Sequence, residues 1–237
     1  MLSFITICFS SLNSNNCSKF AFYGRDILDK IEFVIFDLDD TLIHSGINYA
    51  AIREEICEFF PTRALISNLD RTPILNLASQ LKMIDEQLYK QAKQLIEKSE
   101  EESVERAEIM EGADKIPEIL EQHKTKSAIY TNNTLKTVQL YFQKPEFQFL
   151  KYFEFLTRDD VIIPKPNPEG ILTLLHKYNA SKENSVYIGD SFIDAGAARE
   201  AGIRFVLFDS RQLDLASFGI TPFASLEKWS ELARLLQ

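Results

Sequence analysis

The sequence predicts an α/β fold: a parallel sheet with helices on both faces, joined to a small α-helical second domain. Three observations predict it. Short, β-rich apolar runs recur along the chain, patterns of helical period lie between them, and one block, Ile47 to Ile109, carries helical spacing with no convincing strand.

The first stretch stands apart. Residues 1–28 hold a short apolar run (Leu2 to Phe9), then a Ser/Asn-rich segment, with no acidic residue before Asp26. The run is too short to span a bilayer, and its first basic residue, Lys19, follows it instead of preceding it as in a secretory signal. Residues 1–28 therefore read as an extension, either disordered or targeting.

From Ile31 the pattern of a folded domain begins. Ile31 to Phe36 (IEFVIF) reads as a buried strand ending in the acidic knot DLDDT. Four further strands are expected at Ser127 to Thr131, Tyr152 to Leu156, Ser185 to Ile188 and Arg204 to Phe208. Helices are expected at Ala113 to His123, Leu135 to Phe142, Pro168 to Tyr178, Phe192 to Ala201 and Leu226 to Leu236. Strands alternating with helices imply βαβ units, and so a parallel sheet. Within the helical block, Ile47 to Phe60 has apolar residues at helical spacing and ends at Pro61. Pro73 can start a second helix running through Leu81, and Ile84 to Met110 reads as one or two long charged helices. The glutamates around Ser99 to Glu105 read as a solvated helix face. The expected division is residues 29–46 and 110–237 for the core and 47–109 for the helical domain.

Composition narrows the class of function. Of the 237 residues 45% are hydrophobic and 26% charged, as in a soluble globular protein, and the formal net charge is -9. An acidic surface repels nucleic acid and anionic membrane, so neither is an expected partner. Cys8, Cys17 and Cys57 form no CxxC pair, which argues against a disulfide framework or a zinc site and for a reduced, cytoplasmic setting.

Four short segments stand at strand ends, where open α/β sheets bind ligands. In Asp37-Leu38-Asp39-Asp40-Thr41, carboxylates at i and i+2 can turn toward one cavity, one as nucleophile and the other as general acid and base. Thr131-Asn132-Asn133 offers a hydroxyl and amides at a strand-to-helix turn, suited to an oxyanion. Lys165, between Pro164 and Pro166, places an ammonium on a stiff segment, where it can neutralise charge on a nucleophile and a phosphoryl group. Gly189-Asp190-Ser191 with Asp194 clusters carboxylates without His or Cys, a donor set for a hard cation such as Mg²⁺. Each segment alone also has a plain reading: a helix cap for the first, second and fourth, a surface lysine for the third. Their joint occurrence in order favours a site.

In this combination, DLDDT, YTNN, KPNP and GDSFID resemble the four motifs of the haloacid dehalogenase (HAD) superfamily, from about Ile31 to the C-terminus. The helical block between the first and second motifs resembles the subgroup with an α-helical cap there, which includes phosphoglycolate-phosphatase-like members. The resemblance implies a Rossmann-like core and a Mg²⁺-dependent phosphatase acting on a small phosphorylated metabolite. Asp37 would form an aspartyl-phosphate and Asp39 would serve as acid and base. Thr131, Asn132 and Lys165 would bind the phosphoryl group, and Thr41 would tie down the turn after the nucleophile. The metal would be held by Asp37, Asp190 and the backbone carbonyl of Asp39, with Asp194 orienting that shell. A monomer or homodimer is expected. A phosphomutase of the same fold and a catalytically silent binding protein stay open as alternatives, whereas Asp39 argues against halide displacement, which needs no acid. Arg53, Arg63 and Arg71 are candidates to contact a second anionic group of the substrate, or else solvated helix arginines. His44, just after the first motif, could face the entrance or pack against the cap hinge, and the hinge is the expected place.

Overall fold

The computed structural model describes residues 21–22, 30–62, 66, 72–208 and 215–237. Most of residues 1–28, together with Cys8, Cys17, Arg63 and Arg71, lie outside the described residues.

In chain order the elements are strand β1 (Ala21–Phe22), β2 (Phe33–Phe36) and β3 (Ile43–His44), helices α1 (Tyr49–Glu58), α2 (Ile74–Leu81) and α3 (Glu86–Ser103), then β4 (Glu108–Ile109) and α4 (Ile116–His123). They continue with β5 (Lys126–Tyr130), α5 (Leu135–Gln143), β6 (Glu154–Leu156), α6 (Glu169–Tyr178), β7 (Ser185–Gly189), α7 (Phe192–Ala201), β8 (Arg204–Phe208), β9 (Ala224–Leu226) and α8 (Leu232–Leu235). The sheet runs β1-β9-β8-β7-β2-β5-β6. Every pairing in it is parallel except β1 with β9, which is antiparallel.

The five expected strands all form, within two residues of their expected ends. The structure differs in three places. The pattern Leu226 to Leu236 predicts one closing helix, yet Ala224–Leu226 extends the sheet and the chain turns through a short 3₁₀ segment before α8. Three residues pairing with β8 are too few to give a period. Ala21–Phe22 adds an edge strand ahead of the expected core boundary at residue 29. Glu108–Ile109 pairs with Ile43–His44 as a two-stranded ribbon where the helical block joins the core.

Alternation along β2 divides the interior. Val34 and Phe36 face a cluster with Leu120, Val138, Phe208 and Trp229, while Phe33 and Ile35 face one with Ile171, Leu174, Ala198 and Phe205. Both faces of the sheet are thus covered, as parallel strands require. Helices α1, α2 and α3 enclose a separate core of Ile52, Ile56, Leu77, Leu81, Ala92 and Ile96. Asp85 caps α3 by accepting from the Gln87 amide at 2.6 Å, and Asn48 caps α1 through the Ala51 amide at 3.0 Å.

The strand order reverses beside β2. The chain steps from β2 to β5 and β6 on one side, then returns to β7 on the other. A crevice therefore opens at the carboxyl ends of β5, β2 and β7.

Trp229 ties the C-terminal segment to that region. It is fully buried, stacks on Phe208 with centroids 4.4 Å apart, and meets Phe36 edge-on at 5.7 Å. Its indole N–H donates to the Thr41 carbonyl at 3.2 Å, reaching the loop after β2. Trp229→Ala should destabilise the protein by about 3–5 kcal/mol, the range for removing a large buried aromatic. Urea unfolding measures this, and a loss below about 1 kcal/mol would show that the indole is not a core residue.

Candidate active site

The crevice contains a cavity of about 230 Å³. Asp37, Asp39, Asn132, Lys165, Asp190 and Asp194 line it from the core, and Tyr49, Arg53, Ile74, Leu75 and Glu100 from the helical lobe.

Its floor is an ion cluster. The Lys165 ammonium donates to Asp37 Oδ1 at 2.5 Å, to Asp194 Oδ1 at 2.8 Å and to the Tyr187 hydroxyl at 2.8 Å. The Tyr187 hydroxyl in turn donates to the Tyr130 carbonyl at 3.0 Å. All three charged groups are buried. Burial and repulsion from Asp194 push Asp37 upward, with Lys165 opposing. Burial works against the charge on Lys165, but the Asp194 and Asp37 carboxylates hold its pKa well above the ordinary value.

Each side chain is placed by local structure. Asp37 leaves β2 with its N–H donating to the Ile188 carbonyl at 2.8 Å. Asp40 takes a left-handed conformation (φ 54°), which turns the chain after the two carboxylates. Lys165 is gripped by Asn132: its N–H donates to Asn132 Oδ1 at 3.0 Å, and Asn132 Nδ2 donates to its carbonyl at 3.2 Å. Asp194 divides its oxygens. Oδ2 accepts from the Ser191 N–H and hydroxyl in the capping box of α7, while Oδ1 serves Lys165. The capping and functional roles of Asp194 thus coexist. Gly189 permits the approach, since a Cβ there would lie 2.7 Å from Asp194 Cβ.

Asp39 stands at the cavity with Oδ1 buried and without a hydrogen-bond partner among the described residues. Burial, followed by repulsion from Asp37, Glu100 and Asp40, raises its pKa well above the usual carboxylate range. The expected phosphate-binding residues are adjacent but unequal. Lys165 faces the cavity, whereas the amide of Asn132 is spent on the Lys165 backbone. Thr131 is fully buried, its hydroxyl accepting from the Asn133 N–H at 3.0 Å.

Ligand oxygens of Asp37, Asp190 and Asp194 lie within 4.8 Å of one another. The donors are all hard carboxylates, and Asp39, whose Oδ1 has no partner among the described residues, lines the same cavity. The set fits a Mg²⁺-like ion.

Several expectations are corrected. The Thr41 hydroxyl is buried without a hydrogen-bond partner among the described residues, so it does not tie down the turn; the Thr41 backbone does, through Leu38 and Trp229. The His44 side chain is 60% exposed and bonds Asp40 at 2.8 Å instead of packing at the hinge. Arg53 lines the cavity and donates to the Thr72 carbonyl at 2.5 Å. The glutamate run is not wholly solvated: Glu100 is buried, pairs with Arg158 at 2.5 Å and lines the cavity. Sequence reasoning missed both partners. The spacing Ala92, Ile96, Glu100, Ser103 carried the signal for Glu100, because it puts the carboxylate on the buried face of α3.

A profile of the haloacid dehalogenase-like hydrolase family matches residues 34–208, and the chain belongs to that family of hydrolases. It is 23% identical over 214 residues to a haloacid dehalogenase-like hydrolase domain-containing protein of Arabidopsis thaliana, covering 88% of this chain and 84% of that one. Among solved structures it resembles one described as a haloacid dehalogenase-like hydrolase from Bacteroides fragilis, with TM-score 0.67, 22% identity and coverage of 86% and 100%. It also resembles one described as a phosphoglycolate phosphatase from Lactobacillus plantarum, with TM-score 0.66, 21% identity and coverage of 87% and 100%. A third is a HAD hydrolase of Bacillus subtilis solved with bound magnesium, with TM-score 0.61, 17% identity and coverage of 88% and 100%. No helix among the described residues is long and apolar enough to cross a membrane.

The crowded carboxylates give a pH test. Asp37 and Asp39 have folded pKa values raised above the ordinary value of 3.8, so the stability they contribute is present below about that pH and is lost as pH rises through their folded values, about 7 for Asp37. A divalent cation binds the ionised forms. Any rise in melting temperature that Mg²⁺ produces should therefore be larger at pH 8 than at pH 5, as read by scanning calorimetry. An equal or larger rise at pH 5 would contradict this.

Proposed function

We propose that the protein is a Mg²⁺-dependent phosphatase that hydrolyses a small phosphorylated metabolite through an aspartyl-phosphate at Asp37. The observation that carries this reading is the Lys165 ammonium fixed between Asp37 and Asp194, beside the unpartnered carboxylate oxygen of Asp39. The match to the hydrolase family and the likeness to a magnesium-bound relative support it.

A carboxylate oxygen of Asp37 attacks phosphorus, forming the Asp37–phosphorus bond as the bond to the leaving alcohol breaks. Protonated Asp39 gives its proton to that alcohol; burial and the neighbouring acids raise its pKa, which favours the protonated form. Asp39, now ionised, takes a proton from water as the water oxygen attacks phosphorus. Phosphate leaves and the Asp37 carboxylate is restored. Lys165 neutralises the phosphoryl oxygens and stays charged throughout. Thr131, buried behind the cavity, shapes the phosphoryl-binding loop by accepting from the Asn133 N–H, and Asn132 positions Lys165. Mg²⁺ would be held by Asp37, Asp190 and the Asp39 carbonyl, with Asp194 orienting the shell, and when bound it spreads the negative charge of the transferring group. Residues 47–109 act as a cap that shields the site from bulk water.

Asp37→Asn should abolish phosphate release from a panel of small phosphate esters while leaving the thermal transition in place. Asp39→Asn should cost about 10²-fold or more in kcat, and removal of Mg²⁺ by chelation should stop turnover reversibly. Substantial turnover by Asp37→Asn would remove it as the nucleophile.

A further inference from the structure

Glu100 lies on the buried stripe of α3 and is only 4% exposed. Its Oε1 accepts from Arg158 Nη1 at 2.5 Å. The same guanidinium nitrogen donates to the Asn132 carbonyl at 2.8 Å, so the carboxylate is docked against the loop after β5. Its other oxygen, Oε2, is buried with no hydrogen-bond partner among the described residues, on a residue that lines the cavity. Asn133, next along that loop, also lines the cavity, and its Nδ2 is likewise buried and unpartnered. Both residues line the one cavity, Glu100 from the lobe and Asn133 from the core, and each brings to its wall a buried polar atom that requires a partner.

We propose that Glu100 and Asn133 recognise a hydroxyl on the leaving group of the substrate, Glu100 accepting its hydrogen bond and Asn133 donating one to it; this rests on the phosphatase reading above. A hydroxyl has the chemistry for both atoms, a donor for Glu100 and an acceptor for Asn133. An ammonium would satisfy Glu100 and leave the Asn133 donor unmet. A second carboxylate would satisfy Asn133 but face the acids Glu100, Asp39 and Asp40. Arg53, the cation on the lobe side, is engaged with the Thr72 carbonyl. Pro73, Ile74 and Leu75 form an apolar wall for the carbon skeleton. The substrate class is a hydroxylated alkyl phosphate, of the polyol or sugar type, in preference to a phosphorylated carboxylic acid.

The test measures kcat/KM with Mg²⁺ for glycerol 3-phosphate, n-propyl phosphate, 2-phosphoglycolate and p-nitrophenyl phosphate. The parent protein should prefer glycerol 3-phosphate over n-propyl phosphate by about tenfold or more, and over 2-phosphoglycolate as well. In Glu100→Gln, which keeps an oxygen for Arg158, the glycerol-to-propyl ratio should fall below about threefold. Asn133→Ala gives an independent reading of the same ratio should the first variant not fold. Hydrolysis of p-nitrophenyl phosphate with no hydroxyl preference in the parent, or with the preference intact in both variants, overturns the assignment while the phosphatase reading stands. Preference for 2-phosphoglycolate overturns it equally. Absence of p-nitrophenyl phosphate hydrolysis overturns both.

Discussion

The ammonium of Lys165 lies between the buried carboxylates of Asp37 and Asp194, and the geometry of the whole site follows from that contact. Two acids brought together away from water repel one another and lose hydration, which drives them toward the neutral form. One fixed cation offsets part of both penalties. It also draws together segments far apart in sequence, since Lys165 and Asp37 are separated by 128 positions. Removing the cation would leave buried acids uncompensated, a defect that costs about 3–5 kcal/mol when one partner of a buried pair is deleted. The arrangement that prepares the chemistry is therefore also a constraint on folding.

The sheet makes this contact possible. Because β2 lies centrally, with β5 and β7 on either side, the loops that follow these strands converge, and Asp37, Thr131 and Asp190 arrive together. The supports come from within the motifs and from beyond them: Asn132 of the second motif holds the Lys165 backbone, Gly189 of the fourth leaves room for Asp194, and Tyr187, outside the motifs, shares the ammonium. The helical lobe supplies a second contact. Its buried pair, Glu100 with Arg158, joins α3 to the loop bearing Asn132 and so links the wall of the cavity to its floor.

Much of this was legible in the sequence because each core strand is a continuous apolar run ending in polar residues that a strand end can present. Ile31 to Phe36 ahead of DLDDT is the clearest case. The family's motifs then gave roles to residues whose separate patterns also read as caps. What escaped the sequence has physical reasons. Strand β9 is too short to show a period. The hydroxyl of Thr41 suggested a side-chain tie, yet the indole of Trp229, far along the chain, bonds its carbonyl instead. Arg158 and Glu100 each look like surface charges, and their burial depends on a pairing across 58 positions that no local pattern encodes. Glu100 alone left a trace, in its place on the apolar stripe of α3.

The central claim is that Asp37 carries the phosphoryl group. Enzyme acid-quenched during turnover of a phosphate ester and then reduced with borohydride converts an aspartyl-phosphate to homoserine, which peptide mass spectrometry locates. The account predicts homoserine at position 37 and at none of positions 39, 190 and 194. Homoserine at one of those three positions, or none anywhere while phosphate is being released and the intermediate is shown to accumulate by labelled phosphate, would contradict it.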